Sequence, residues 1–253
     1  MKAKCGLATK RRRSRCATAI LAARYGSPRH GNKDDPLDEL VFIVLSQMTT
    51  HHAFNRVFAR VKARLPNWEG ALGLGVNRFR LLIAEAGLSY VKAPRLLRLF
   101  ETLRSDFGKV TLEPLRLMTD DAAEHYLTGL PGVGVKTARC VMMYSLARQV
   151  LPVDTHVWRV AKRLGLLEED IPYPRVHAAL DEVVASADRY AFHVNAISFG
   201  RELCLPRGPR CEACPLLRLC PFGRLRLESA ARVRLPTSRA ARPRRSARAR
   251  RSR

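Results

Sequence analysis

Apolar residues recur at intervals of three, four and seven along most of this chain, and that spacing restricts it to packed helices. Between Pro36 and Leu65 the series Leu37, Leu40, Val41, Val44, Leu45 and Met48 is followed by Phe54, Val57, Phe58, Val61 and Leu65. The pattern continues at Leu81 to Ile83, Leu96 to Leu103, Ala138 to Leu146, Val157 to Leu164, Val176 to Val184 and Phe192 to Leu203. Gly87, Pro94 and Gly108 read as turn signals between them. Asp120 and Asp121 place acids where a helix N-terminus favours them, ahead of Ala122, Ala123 and Leu127. Sustained alternation bounded by hairpin dipeptides is missing, so the expected class is all-α. With 47% hydrophobic residues a buried core is expected. No stretch approaches the roughly 18 consecutive apolar residues of a membrane span. No secretory apolar region follows Met1 either, so no membrane partner is expected.

Charge indicates the partner. The chain of 253 residues carries 46 Lys plus Arg against 22 Asp plus Glu, a formal net charge of +24. Residues 1–15 hold seven bases and no acid; residues 225–253 hold eleven arginines and one acid, Glu228. Neither end shows apolar periodicity, so both are expected to be disordered basic tails. Such arms add phosphate contacts that weaken with salt, and a polyanion, nucleic acid first, is the expected partner. The first acid is Asp34, which leaves an organellar transit peptide open.

Three clusters carry chemistry. In Leu130-Pro131-Gly132-Val133-Gly134-Val135-Lys136-Thr137-Ala138, Pro131 stops one helix and the glycines permit positive φ and close backbone approach. The next helix then presents free N–H groups, an anion site suited to a DNA phosphate. Glycines between helices are common in ordinary turns, so the whole string carries the expectation. In Val153-Asp154-Thr155-His156-Val157, Asp154 suits an N-cap. A lysine amine is nucleophilic only when neutral, and Lys136 at a helix N-terminus should have its pKa lowered by the dipole. A carboxylate pulls the other way, so Asp154 reads as a base or as a stabiliser of positive charge on a sugar. Lastly, Cys204, Cys211, Cys214 and Cys220 lie within 17 residues and point to a metal centre more than to disulfides. Zinc and a [4Fe–4S] cluster both stay open; the wide first gap favours iron and sulfur. Cys5 and Cys16 lack metal spacing, and Cys140 reads as a core residue.

In this order and spacing, the three clusters resemble the endonuclease III family of DNA glycosylases, in the helix-hairpin-helix superfamily, across roughly residues 16–224. Gly87 to Ala93 and Phe199-Gly200-Arg201 are similar to family segments as well. The resemblance implies a monomeric base-excision-repair enzyme that removes oxidised pyrimidines from damaged double-stranded DNA and cleaves the strand. Lys136 and Asp154 would be catalytic. Gly132, Val133 and Gly134 would hold a phosphate, Met48, Gln47 and Leu88 would fill the gap left by the extruded base, and His156 would line the base pocket. The four cysteines would hold a [4Fe–4S] cluster that orders a loop carrying Arg207 and Arg210 to the backbone. The implied architecture is two helical domains. Residues 35–149 would form a six-helix barrel with the hairpin at about 121–146, and residues 16–34 with 150–224 the cluster domain. The implied location is the cytoplasm and nucleoid, or an organelle or the nucleus in a eukaryote.

The sequence departs from the family at three places. Aligned without gaps from Pro36, Met48 stands where a wedge glutamine is usual, His51 where an acid is common, and Val135 where a base usually precedes the lysine. Methionine can plug a gap yet cannot pair with an orphaned base through two hydrogen bonds. Lyase chemistry with relaxed lesion recognition is therefore expected. Two other readings are a monofunctional, adenine-specific glycosylase, which Lys136 opposes, and a DNA-binding protein on a repair scaffold with weak or absent activity.

Overall fold

The computed structural model describes residues 6–29 and 31–234, and within them every regular element is helical. Helices α1 (Leu7–Tyr25), α2 (Pro36–Ser46), α3 (His51–Arg64), α4 (Glu69–Leu82), α5 (Ser89–Phe107) and α6 (Asp120–Gly129) come first. They are followed by α7 (Val135–Tyr144), α8 (Thr155–Arg163), α9 (Val176–Val183), α10 (Arg189–Glu202) and α11 (Pro221–Arg234). Side chains cap the key starts. Asp35 accepts from Asp38 N ahead of Pro36, which fits a first helical position, and Thr119 accepts from Ala122 N.

Two apolar cores form. One gathers buried residues from Leu37 to Val150, including Phe42, Trp68, Phe79 and Phe100. The other joins Ala17 and Leu21 of α1 to buried residues from Leu151 to Cys220. Arg139 on α7 connects them, donating to Glu124 at 2.9 Å and to Asp181 on α9 at 2.7 Å. Its side chain is only 12% exposed, so losing either carboxylate would leave a poorly solvated charge.

Both ends correct the expected tails. Residues 7–15 are the first half of α1, and residues 225–234 complete α11. Residues 1–5 and 235–253 lie outside the described residues. Some of the bases of α1 have structural partners: Arg13 donates to Leu164 O at 2.8 Å, capping the carbonyl end of α8, and Arg11, though exposed, donates to Glu182 O at 2.9 Å. Pro94 is also not a turn. It sits inside α5, where its missing N–H costs the helix one bond.

Candidate active site

The hairpin between α6 and α7 turns on one glycine of positive φ. Gly132 has φ +79°, in the region that side chains avoid, whereas Gly134 is extended at φ −93° and ψ 169°. The expectation of positive φ at both glycines is thus corrected for Gly134, whose missing side chain leaves open space over the backbone. Val133 also departs from its expected role. Its side chain is buried and its N–H already donates to Leu130 O at 3.1 Å, so the anion-binding groups left are those of Gly134 and the first turn of α7.

Lys136, in that first turn, stands where the two cores meet. The Cys140 thiol one helical turn on, and the Asp154 and Glu39 carboxylates, hold its ammonium above the ordinary lysine range, while burial works against them. The expected lowering is therefore corrected: Cys140, which also hydrogen-bonds the amine, and the Asp154 and Glu39 carboxylates raise the lysine instead. Glu39 is fully buried on α2 and accepts from Asn32 Nδ2 and Lys33 N, each at 2.7 Å. Its carboxyl is pushed up by burial. Asp154 caps α8 through one oxygen, Oδ1, which accepts from His156 N at 2.9 Å and Val157 N at 2.8 Å. Capping and a charge interaction with Lys136 thus coexist in one side chain.

Two turns project apolar side chains. Met48 (φ 53°) follows α2 and is 88% exposed; Leu88 (φ 50°) precedes α5 and is 42% exposed. Left-handed backbone at such residues costs about 1–3 kcal/mol each, a signature of functional turns. Gln47 is half-buried, with its carbonyl occupied by Lys92. Farther along, the thiols of Cys204, Cys211, Cys214 and Cys220 are free and ring one cavity with Val160, Leu164, Phe199, Leu203 and Leu216. Among the described residues no group of three or more His, Cys, Asp or Glu is disposed to hold a metal ion. Burial pushes the Cys214 thiol up to about 11. Arg207 and Arg210 are exposed on the loop between the first two cysteines, which turns at Gly208 (φ +61°).

Residues 41–186 match the HhH-GPD superfamily of base excision DNA repair proteins. This chain belongs to that superfamily. Endonuclease III of Bacillus subtilis is 32% identical over 192 residues, covering 76% of this chain and 84% of that protein. A plant relative from Arabidopsis thaliana is 32% identical over 167 residues, 66% of this chain, which spans 56% of the relative's length. Among solved structures, a non-covalent endonuclease III–DNA complex superposes with a TM-score of 0.73 at 27% identity, covering 86% of this chain and 98% of that one. A trapped endonuclease III–DNA covalent intermediate gives 0.71, at the same identity and coverage.

Within this HhH-GPD chain the structure brings Lys136, Asp154 and His156 into one region, with the Met48 and Leu88 turns on the first core and the thiols in the second. Sequence reasoning missed Glu39 and Arg95, and held Lys92 only as part of the family-like segment Gly87 to Ala93. Arg95 lies over Gly132, where an added Cβ would sit 2.1 Å from its Cδ, and so puts a cation at the hairpin where Val135 supplies none. Gly200 was noted only as part of a family-like segment, and packing explains it. A Cβ there would fall 2.8 Å from His156 Nδ1 and 3.0 Å from Arg159 Nη2. Arg159 in turn donates to Gly200 O at 2.9 Å and Cys204 O at 2.8 Å. Gly200→Ala should therefore destabilise the protein by about 1–3 kcal/mol through overpacking. It should also misplace His156; an unchanged melting temperature would refute the first effect and unchanged base excision the second.

Proposed function

We propose that this protein is a base-excision-repair DNA glycosylase with AP lyase activity, acting on oxidised pyrimidines in double-stranded DNA. The observation that carries the reading is Lys136, on the free first turn of α7, in charge contact with Asp154 from the other core. A phosphate on the Gly134 end of α7 would set the strand's position. Extrusion of the damaged nucleotide then brings C1′ to the amine, and Met48 and Leu88 take the vacated space.

Proton bookkeeping follows from the raised Lys136 pKa. The resting group is an ammonium, and filling the site with a sugar and base withdraws water and favours the neutral amine. Nitrogen forms a bond to C1′ as the bond from C1′ to the base breaks, and the proton given up by nitrogen ends on the departing base. Asp154 stabilises the positive charge that develops on the sugar. Ring opening, in which O4′ takes the proton that the resting ammonium gave up, leaves a protonated Schiff base that acidifies C2′; loss of a C2′ proton expels the 3′ phosphate, and water releases the lysine. His156, its imidazole pKa lowered by burial, accepts from Arg159 Nη2 at Nδ1 (3.0 Å), which leaves Nε2–H as the donor that can read a base.

The cysteines fit an iron–sulfur cluster better than zinc. One zinc draws four sulfurs to about 2.3 Å from a single point. Four thiols ring one cavity, and with the wide first gap of their spacing they suit a [4Fe–4S] cluster held by Cys204, Cys211, Cys214 and Cys220. When bound, the cluster supplies cross-linking, and the Arg207 and Arg210 loop is what it orders.

Borohydride trapping on a duplex with an abasic site tests the proposal. A covalent protein–DNA adduct is expected; no adduct would leave only a DNA-binding scaffold. Met48 sets a second expectation. With no polar pair for the orphaned base, excision of thymine glycol should discriminate weakly among opposing bases, and Met48→Gln should sharpen it. Strong opposing-base preference in the unaltered protein would contradict this.

A further inference from the structure

Lys92 is 3% exposed, and its ammonium has no carboxylate partner among the described residues; it is enclosed by oxygen atoms. Nζ donates to Gln47 O at 2.7 Å, Ala86 O at 2.8 Å, Leu45 O at 2.9 Å and Thr49 Oγ1 at 3.1 Å. Three N–H groups are thus shared among four acceptors. The acceptors come from two places far apart in sequence. Leu45, Gln47 and Thr49 surround Met48, and Ala86 lies two residues before Leu88. Thr49 Oγ1 also donates to Ala86 O, joining the same two turns directly. The lysine's own N–H donates to Leu88 O at 2.9 Å, so its backbone fixes the second turn while its side chain fixes the first.

We propose that Lys92 is a positioning residue that locks the Met48 and Leu88 turns into one rigid wedge, setting the spacing at which both side chains enter the duplex. This rests on the glycosylase reading of the site. Burial of a cation is costly, and a helix needs no lysine for its own stability at a position facing the core. What this cation gains is the neutralisation of carbonyl dipoles on two left-handed turns that no helix satisfies. Burial lowers its pKa only to about 8, so the group remains charged at neutral pH.

The test compares borohydride trapping on an abasic site in a duplex and in the same strand alone, where no opposing base has to be displaced. Lys92→Met keeps the stem and removes the donors. Trapping on the duplex should slow about tenfold or more, while trapping on the single strand stays near the unaltered rate. Thr49→Val, a milder break, should move the duplex rate in the same direction by less. With 2-aminopurine opposite the abasic site, the fluorescence rise that reports unstacking should shrink in Lys92→Met. Unchanged duplex trapping would overturn the proposal, and so would equal losses on both substrates, which would mark Lys92 as a general fold residue. Failure of the unaltered protein to trap either substrate would overturn the enzyme reading first and this inference with it.

Discussion

Lys136→Gln should abolish trapping on abasic DNA and slow base excision by about three orders of magnitude or more, the scale seen when a covalent nucleophile is removed. Duplex affinity should change little or rise, because the phosphate contacts belong to backbone N–H groups at the start of α7 and a neutral side chain leaves them in place. The informative companion is Asp154→Asn. Asp154 is one of the groups that raise the Lys136 pKa, so its neutralisation should increase the fraction of free amine. If amine availability limited the reaction, Asp154→Asn would be faster at neutral pH. A slower variant whose rate no longer depends on pH in the same range would place Asp154 at the developing charge on the sugar. The amide can still accept from His156 N and Val157 N through its oxygen, which keeps the α8 cap largely intact and confines the change to the lost charge.

Much of this was legible in the sequence. The helices α2, α3, α7, α8, α9 and α10 follow from three-four spacing, since each has one face against a core. The hairpin, Lys136 and Asp154 are legible because a local string sets their backbone. What escaped has a common cause. The stripe of α1 at Ala17 and Leu21 is short and lies among bases, and those bases find partners only when Leu164 O and Glu182 O arrive from distant helices. Lys92 and Glu39 look like residues of a solvated helix face, and only tertiary structure shows a lysine among four oxygens or a carboxylate at 0% exposure. The Lys136 pKa was misjudged for a similar reason. A helix dipole can be inferred from sequence, and so can Cys140 at i+4 on the same helix, but Glu39 beside the amine cannot.

Cys214→Ser should remove any visible absorbance and free the segment from Cys204 to Cys220 for proteolysis, while the two helical cores survive. Regular structure in that segment amounts to two single 3-10 turns, Cys211–Ala213 and Leu217–Leu219. Its fully buried side chain is Leu216, whose burial contributes about 2–3 kcal/mol. Ordering a segment of 17 residues is opposed by the conformational entropy of its backbone, and one buried leucine is a small core to set against it. Arg163 donates to Leu205 O at 2.7 Å and Pro206 O at 3.1 Å and Arg159 to Cys204 O at 2.8 Å, yet these bonds sit near the start of the segment and do not give the loop a core. The proposed cross-link through four thiolates would hold it. With the link broken, Arg207 and Arg210 should no longer meet the phosphates, and the slope of log affinity against log salt should fall by about two. Trapping at saturating protein should persist, because Lys136 belongs to the other core. An unchanged protease pattern and salt slope in Cys214→Ser would mean that packing alone orders the loop, and a metal retained without visible absorbance in the unaltered protein would replace iron by zinc.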